Sequence, residues 1–210
     1  MANLLSDIQT WDTSLFHWIN SSWRNGFFDW LMPAVSRFEN FQYILLALVI
    51  LLLWKGSVKG RVFVAAALVL LAITDRGNSD VVKHFFVRPR PYDSLVDIHL
   101  YLRHQWMVTT PQLVERFTGT QSFPSTHAVN VWAMAVLGGL FYRRWVILFC
   151  FLAALVSISR VYVGHHYPFD VIGGAILGSG AAVGFYYGLR YGFMKLDKNE
   201  RWVWKVFPRT

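Results

Sequence analysis

The chain has 210 residues, of which 55% are hydrophobic, 17% aromatic and only 15% charged, against about 25% charged in ordinary soluble domains. One water-soluble core cannot hide that much apolar surface, so the composition calls for a bilayer as part of the solvent. The formal net charge is +8, but the basic residues lie between apolar runs rather than in one patch, which speaks against nucleic acid and for anionic lipid headgroups.

In chain order, Leu4, Leu5, Ile8, Trp11, Leu15, Trp18 and Ile19 recur at helical spacing with Asp7, Gln9 and Asp12 between them. That pattern predicts an amphipathic helix lying in the membrane interface, and residues 1–38 are read as an interfacial segment. The opening MANLLSDIQT lacks the positively charged stretch of a cleavable signal. Phe27–Val35 reads as a re-entrant or partly inserted helix, or as a sixth span. Five apolar runs follow: Phe41–Trp54, Val62–Thr74, Ala128–Tyr142, Trp145–Ser157 and Val171–Tyr187. Several fall short of the ~20 residues that cross the hydrocarbon core, so they must lengthen through polar ends, the second one through Asp75–Phe86. The expectation is an all-α, polytopic transmembrane helix bundle of five spans, or six. It forms one membrane-embedded domain over 1–210, with a transmembrane core at 41–193 and a basic cytoplasmic tail at 194–210. The lone Cys150 sits in an apolar run, where it reads as a small hydrophobe. Glycines four apart (Gly174 and Gly178, Gly180 and Gly184, Gly184 and Gly188) predict close helix approach in lipid.

With five spans, one side receives Lys55, Lys59, Arg61, Arg143, Arg144, Arg190, Lys195, Lys198, Arg201, Lys205 and Arg209, eleven of the twenty basic residues. The excess of basic residues places that side, with the C-terminus, in the cytoplasm.

Three polar clusters then fall together on the opposite face: Lys83 with Arg90 and Pro91, Pro124-Ser125-Thr126-His127, and Ser159-Arg160 with His166 and Asp170. Lys83, Arg90 and Arg160 are cations suited to phosphate oxygens, the guanidiniums bidentately and the ammonium as a point charge; singly, each could equally be a snorkelling helix-end residue. His166 and Asp170 are four apart, so on a helix starting there they share a face, and a carboxylate on one ring nitrogen frees the other to attack. Pro168 suits the first turn of that helix. His127 begins another helix, where it could serve as acid or base on the far side of a phosphorus. Ser125 and Thr126 offer hydroxyls and amides at a helix start, as caps, as an anion site, or as both. No carboxylate–histidine cluster has metal-ligand spacing, so no metal and no other cofactor is expected.

These clusters resemble the signature of the type 2 phosphatidic acid phosphatase family, which includes the lipid phosphate phosphatases and is related to vanadium haloperoxidases. The signature runs K-x6-RP, PSGH and SR-x5-H-x3-D. The chain matches it at Lys83, Arg90 and Pro91; at Pro124, Ser125 and His127, with Thr126 in the glycine's place; and at Ser159, Arg160, His166 and Asp170. Spacing selects His166 over His165 and Arg90 over Arg88. The resemblance implies attack by His166 to form a phosphohistidine, orientation by Asp170, and proton transfer by His127. It also implies that Lys83, Arg90, Arg160, Ser125 and Thr126 hold the phosphate without a metal. Arg88 and Arg116 are candidate headgroup contacts, and the segment Tyr92–Phe123, with Tyr101, Arg103, Trp106 and Arg116, is expected to cap the site. The implied partner is a lipid phosphate or diphosphate in the bilayer, undecaprenyl diphosphate first. Phosphatidylglycerophosphate, phosphatidate and lipid A 1-phosphate, a phosphotransferase, a haloperoxidase, and a lipid-binding or transport protein are the alternatives.

Overall fold

A computed structural model describes residues 2–78, 82–116, 121–196 and 202–207. The side chains of Leu4 and Leu5, and the tail residues Lys198, Arg201 and Arg209, lie outside what it describes. Helix α1 (Ala2–His17) continues as a π-helical stretch to Ser22. Its apolar stripe is divided rather than laid wholly on the interface. Trp11 and Trp18 are 74% and 53% exposed, whereas Phe16 and the acidic Asp12 are fully buried. Asp12 was expected on the polar, solvated face; it points into the protein because its partners lie there. Helix α2 (Gly26–Ser36) starts at Asn25, whose side chain accepts from the Phe28 amide at 2.9 Å. Eleven residues rise only about 17 Å, too little to cross ~30 Å of hydrocarbon. Asp29 instead ties α2 inward, accepting from the Tyr162 hydroxyl at 2.7 Å and pairing with Arg24 at 2.9 Å.

The five apolar runs become α3 (Gln42–Trp54), α4 (Val58–Arg76), α7 (Thr126–Phe141), α8 (Val146–Tyr162) and α9 (Pro168–Leu196). Among the described residues, Arg143–Tyr162 and Pro168–Leu196 are long and apolar enough to cross a membrane. Helix α3 buries no residue at all, so only lipid can solvate its Ile, Leu and Val side chains. The α-helical part of α4 ends at Arg76 and goes on as π-helix at Gly77 and Asn78; Lys83 lies on a 3-10 turn, Val82–Phe85. Helices α7 and α9 touch backbone to backbone. A Cβ on Gly178 would stand 2.1 Å from the Val129 carbonyl oxygen, and one on Gly174 would stand 2.8 Å from that of Ser125. The glycine expectation therefore holds for that pair, whereas Gly180, Gly184 and Gly188 have nothing within 4 Å of such a Cβ.

The stretch between the first two motif clusters breaks the all-α expectation. After α5 (Pro91–Ser94) come strands β1 (His99–Leu102) and β2 (Gln105–Val108), paired antiparallel from His99↔Val108 to Leu102↔Gln105, and then α6 (Pro111–Arg116). The two-residue turn is Arg103–His104, both left-handed at φ 50° and 69°. Such turns favour Asn-Gly, so no hairpin signal was visible in the sequence. Tertiary bonds hold the hairpin down. Asn20 donates to the carbonyls of His99 and Tyr162 at 2.8 Å and accepts from the His99 amide at 3.0 Å, while the Tyr101 amide donates to Val163 at 3.0 Å.

Two buried apolar clusters mark the ends of the bundle. One, around Phe16, Ile98, Leu100, Val161 and Tyr162, surrounds the motif residues; the other gathers Leu70, Leu137, Phe141 and Tyr186. Into the second cluster the tail inserts α10 (Val203–Val206), with Val203, Val206 and Phe207 fully buried. The 194–210 segment is thus more than a basic tail: part of it is a hydrophobic plug. Basic residues at this end stack on aromatics, Lys59 on Tyr142, Arg144 on Trp145 and Arg190 on Trp204.

Candidate active site

The three clusters meet at the first of these ends, each brought there by a local structural cause. Helix α8 ends with Arg160 near its last turn, and the chain reverses at Gly164, whose φ is +84°. A Cβ there would lie 2.5 Å from the His99 carbonyl oxygen, so only glycine fits beneath the hairpin. This bend delivers His165 and His166 to the interior before Pro168 opens α9 and puts Asp170 in its first turn. Ser125 is the N-cap of α7: its hydroxyl accepts from the Ala128 amide at 3.5 Å, and its own amide donates to the Asp170 carbonyl at 3.0 Å. The Thr126 hydroxyl accepts from Asn78 Nδ2 at 2.8 Å. His127 follows as an exposed residue at the mouth of that helix.

His166 and Asp170 are buried, 2% and 0% exposed, but they do not form a simple hydrogen bond. Nδ1 of His166 lies 3.7 Å from Asp170 Oδ2, beyond hydrogen-bond range. Ser122 stands between them, its hydroxyl donating to Asp170 Oδ2 and lying 3.4 Å from His166 Nδ1. The Tyr167 amide donates to the same oxygen at 2.8 Å, and Arg88 Nη1 to the other at 2.8 Å. Arg88 Nη2 donates in turn to the buried Asp12, whose second oxygen accepts from the Phe169 amide at 2.9 Å. The guanidinium of Arg88 also covers the Tyr167 ring at 4.2 Å. Both Nη groups of Arg88 thus bind inward, to Asp170 and Asp12. Arg116 is exposed at the end of α6, and among the described residues no hydrogen bond joins it to this network.

Several cations act electrostatically on the imidazole. Burial first, and then the charges of Arg90, Arg160, His127 and Lys83, hold the His166 pKa well below the ordinary imidazole value. His166 is therefore neutral, with its Nδ1 edge turned to Ser122 and Asp170. The same three basic residues, Arg160, Arg90 and Lys83, also act electrostatically on His127. Lys83 is shifted down by burial and by Arg90, opposed by Asp170 and Asp75. Arg90 donates to the Tyr92 hydroxyl at 3.3 Å, while the buried Nε atoms of Arg90 and Arg160 have no hydrogen-bond partner among the described residues.

A profile of the PAP2 superfamily matches residues 60–193, which span every one of these residues except Asp12. The chain belongs to the PAP2 superfamily. It is similar to a lipid A 4'-phosphatase of Bacteroides thetaiotaomicron, 30% identical over 199 residues that make up 89% of this chain and 79% of that protein. It is also similar to an undecaprenyl-diphosphatase of Sulfolobus acidocaldarius, 31% identical over 71% of this chain and 65% of that one. Its fold is similar to that of Aquifex aeolicus LpxE, with TM-score 0.61 and 25% identity over 83% of this chain and 94% of that one. The protein is an integral-membrane lipid phosphatase of this superfamily.

Four residues of this PAP2 phosphatase's site carried no signal in the sequence. Ser122 and Asn78 are common polar residues outside the motif spacings. Asp12 lies 157 residues from the amide it caps and reads locally as a polar-face residue. His165 had been set aside by spacing, yet its Nδ1 accepts from Arg160 Nη2 at 2.8 Å and its Nε2 donates to the Tyr101 carbonyl at 2.9 Å. Of the segment expected to cap the site, Tyr92, Tyr101 and Ser122 touch site residues directly, on Arg90, His165 and the Asp170–His166 pair, whereas Trp106 packs on Tyr162, beneath Arg24.

Proposed function

We propose that this phosphatase removes a terminal phosphate from a lipid at the outer face of the inner membrane, with His166 as nucleophile and undecaprenyl diphosphate as first substrate. His166 Nε2 attacks phosphorus while the bond to the lipid-side oxygen breaks and His127 protonates that oxygen. Water then attacks the phosphohistidine, His127 takes its proton, and the P–N bond breaks to release inorganic phosphate. Lys83, Arg90, Arg160, Ser125, Thr126 and the first amides of α7 hold the equatorial oxygens and stabilise their developing charge. These charges do the work for which a metal ion is used elsewhere.

The observation that carries this reading is the asymmetry around His166. Ser122 and Asp170 occupy the Nδ1 edge, which leaves Nε2 as the free nitrogen of a neutral ring among cations. The undecaprenyl-diphosphatase relative supports the first substrate. The lipid A 4'-phosphatase relative, matched over more of the chain, supports a phosphorylated glycolipid as the second. The basic end that holds Lys59, Arg144 and Arg190 is read as cytoplasmic, which turns the site outward.

Purified enzyme in detergent, given undecaprenyl diphosphate, phosphatidylglycerophosphate, phosphatidate and lipid A, should release phosphate fastest from the first. Labelled substrate should leave an acid-labile, alkali-stable phosphoryl adduct that His166→Ala abolishes. Undiminished turnover by His166→Ala would refute the nucleophile assignment.

A further inference from the structure

A cavity beside Arg160 is lined for the most part by residues outside the three motif clusters. It has a volume of about 260 Å³ and is lined by Ser36, Arg37, Glu39, Arg103, His104 and Arg160, with His165 at its inner wall. That is below the ~300 Å³ at which pockets begin to take drug-sized ligands, and the charged groups that line it share its walls with Tyr101, Leu102 and Val163. It suits a headgroup fragment and does not suit a lipid tail. Three guanidiniums face a single carboxylate, and that carboxylate, Glu39, is only loosely engaged by Arg37 at 4.0 Å.

Arg160 joins the two spaces. It is 8% exposed, with Nη1 donating to Ser36 at 2.6 Å and Nη2 to His165 at 2.8 Å, so its position is fixed from the cavity side while its charge acts on both His127 and His166. The opposite wall is the hairpin turn. Arg103 and His104 occupy consecutive left-handed positions, where Asn-Gly would sit without strain. Unfavourable backbone retained beside a site is a mark of function, and here the two side chains it presents are basic or titratable.

We propose that this cavity is a subsite for a second phosphoryl group of the substrate, so that the enzyme prefers lipids whose scissile phosphate has an anionic neighbour. The inference rests on the lipid-phosphatase reading and narrows it. Two substrates share the required chemistry: a prenyl diphosphate, whose second phosphate is adjacent, and a disaccharide lipid phosphorylated at both ends.

The test measures kcat/KM in detergent for pairs matched in their lipid part: prenyl diphosphate against prenyl monophosphate, and bis- against mono-phosphorylated disaccharide lipid. In Arg103→Ala and Arg37→Ala the ratio of diphosphate to monophosphate efficiency should fall about tenfold, the worth of one charge-assisted contact. Arg103→Lys should restore part of it, and Glu39→Gln, which removes the repelling carboxylate, should raise it. Arg144→Ala, at the opposite end of the bundle, serves as the control. The pair whose ratio responds identifies the source of the second phosphate. Ratios that stay at the wild-type value in both pairs, whether or not overall activity drops, overturn the subsite. Failure of the wild type to hydrolyse any of the four lipids would instead overturn the lipid-phosphatase reading on which it rests.

Discussion

Replacing Asp12 with alanine removes a carboxylate that is fully buried, receives the Phe169 amide at 2.9 Å and pairs with Arg88. The change leaves an amide at the start of α9 without its acceptor and half of a guanidinium without its counter-charge. Breaking one side of a buried ion pair costs about 3–5 kcal/mol. Because the Arg88 side chain is 24% exposed and keeps Asp170 at 2.8 Å, the lower end applies. Asp12→Asn keeps an oxygen for the Phe169 amide and loses only the charge-assisted contact, roughly 1.5–3 kcal/mol. At about 2–4 °C per kcal/mol for a chain of this length, the alanine variant should melt about 6–12 °C lower in detergent. The second readout is kinetic. Arg88 bridges Asp12 to Asp170, so loosening it frees the carboxylate that, through Ser122, orients His166; kcat should fall about tenfold, equivalent to ~1.4 kcal/mol of transition-state stabilisation, with KM little changed. Asp12→Asn should show the kinetic loss with the smaller thermal one. Wild-type kcat in both variants would refute the coupling of α1 to the active site, and an unshifted melting temperature in Asp12→Ala would refute the buried pair.

Ser122→Ala removes the hydroxyl between Asp170 and His166 and leaves the two 3.7 Å apart; kcat should drop about tenfold, the value of one hydrogen bond to a charged group, with KM unchanged in steady-state kinetics. Gly178→Ala sets a methyl 2.1 Å from the Val129 carbonyl and should cost about 1–3 kcal/mol by forcing α7 and α9 apart, whereas Gly184→Ala, facing open space, should stay within about 0.5 kcal/mol in parallel thermal melts. His165 and His166 are both held well below the ordinary imidazole pKa by burial and neighbouring cations. The unfolded chain therefore binds protons that the native protein does not, and stability is full above about pH 6.5 and falls as the medium is acidified below it, by up to ~1.4 kcal/mol per pH unit for each ring. Melting temperatures from pH 8 to pH 5 check this, and a flat profile would contradict the neutral assignment.

The chain's composition and its apolar runs determined a helical membrane protein, because bilayer solvation acts on each segment separately and needs no knowledge of partners. The motif residues Lys83, Arg90, His127, Arg160, His166 and Asp170 were legible for a similar reason: each cluster is local, and its chemistry depends on spacing along a few turns. Tertiary structure alone decided what supports them. Asp12 had the local pattern of a solvated position and became buried because Arg88 and the start of α9 converge on it. Arg88 had the look of a headgroup contact and was drawn inward by the same two carboxylates. The hairpin at His99–Val108 lacked a turn signal because what holds it is the bonding of strand β1, at His99 and Tyr101, to the distant Asn20 and Val163, and the tail's Val203, Val206 and Phe207 became core only where α4, α7 and α9 leave room for them. In each case the stabilising partner is distant in the chain, and a buried charge or a strained turn is worth keeping only when that partner has already been brought beside it.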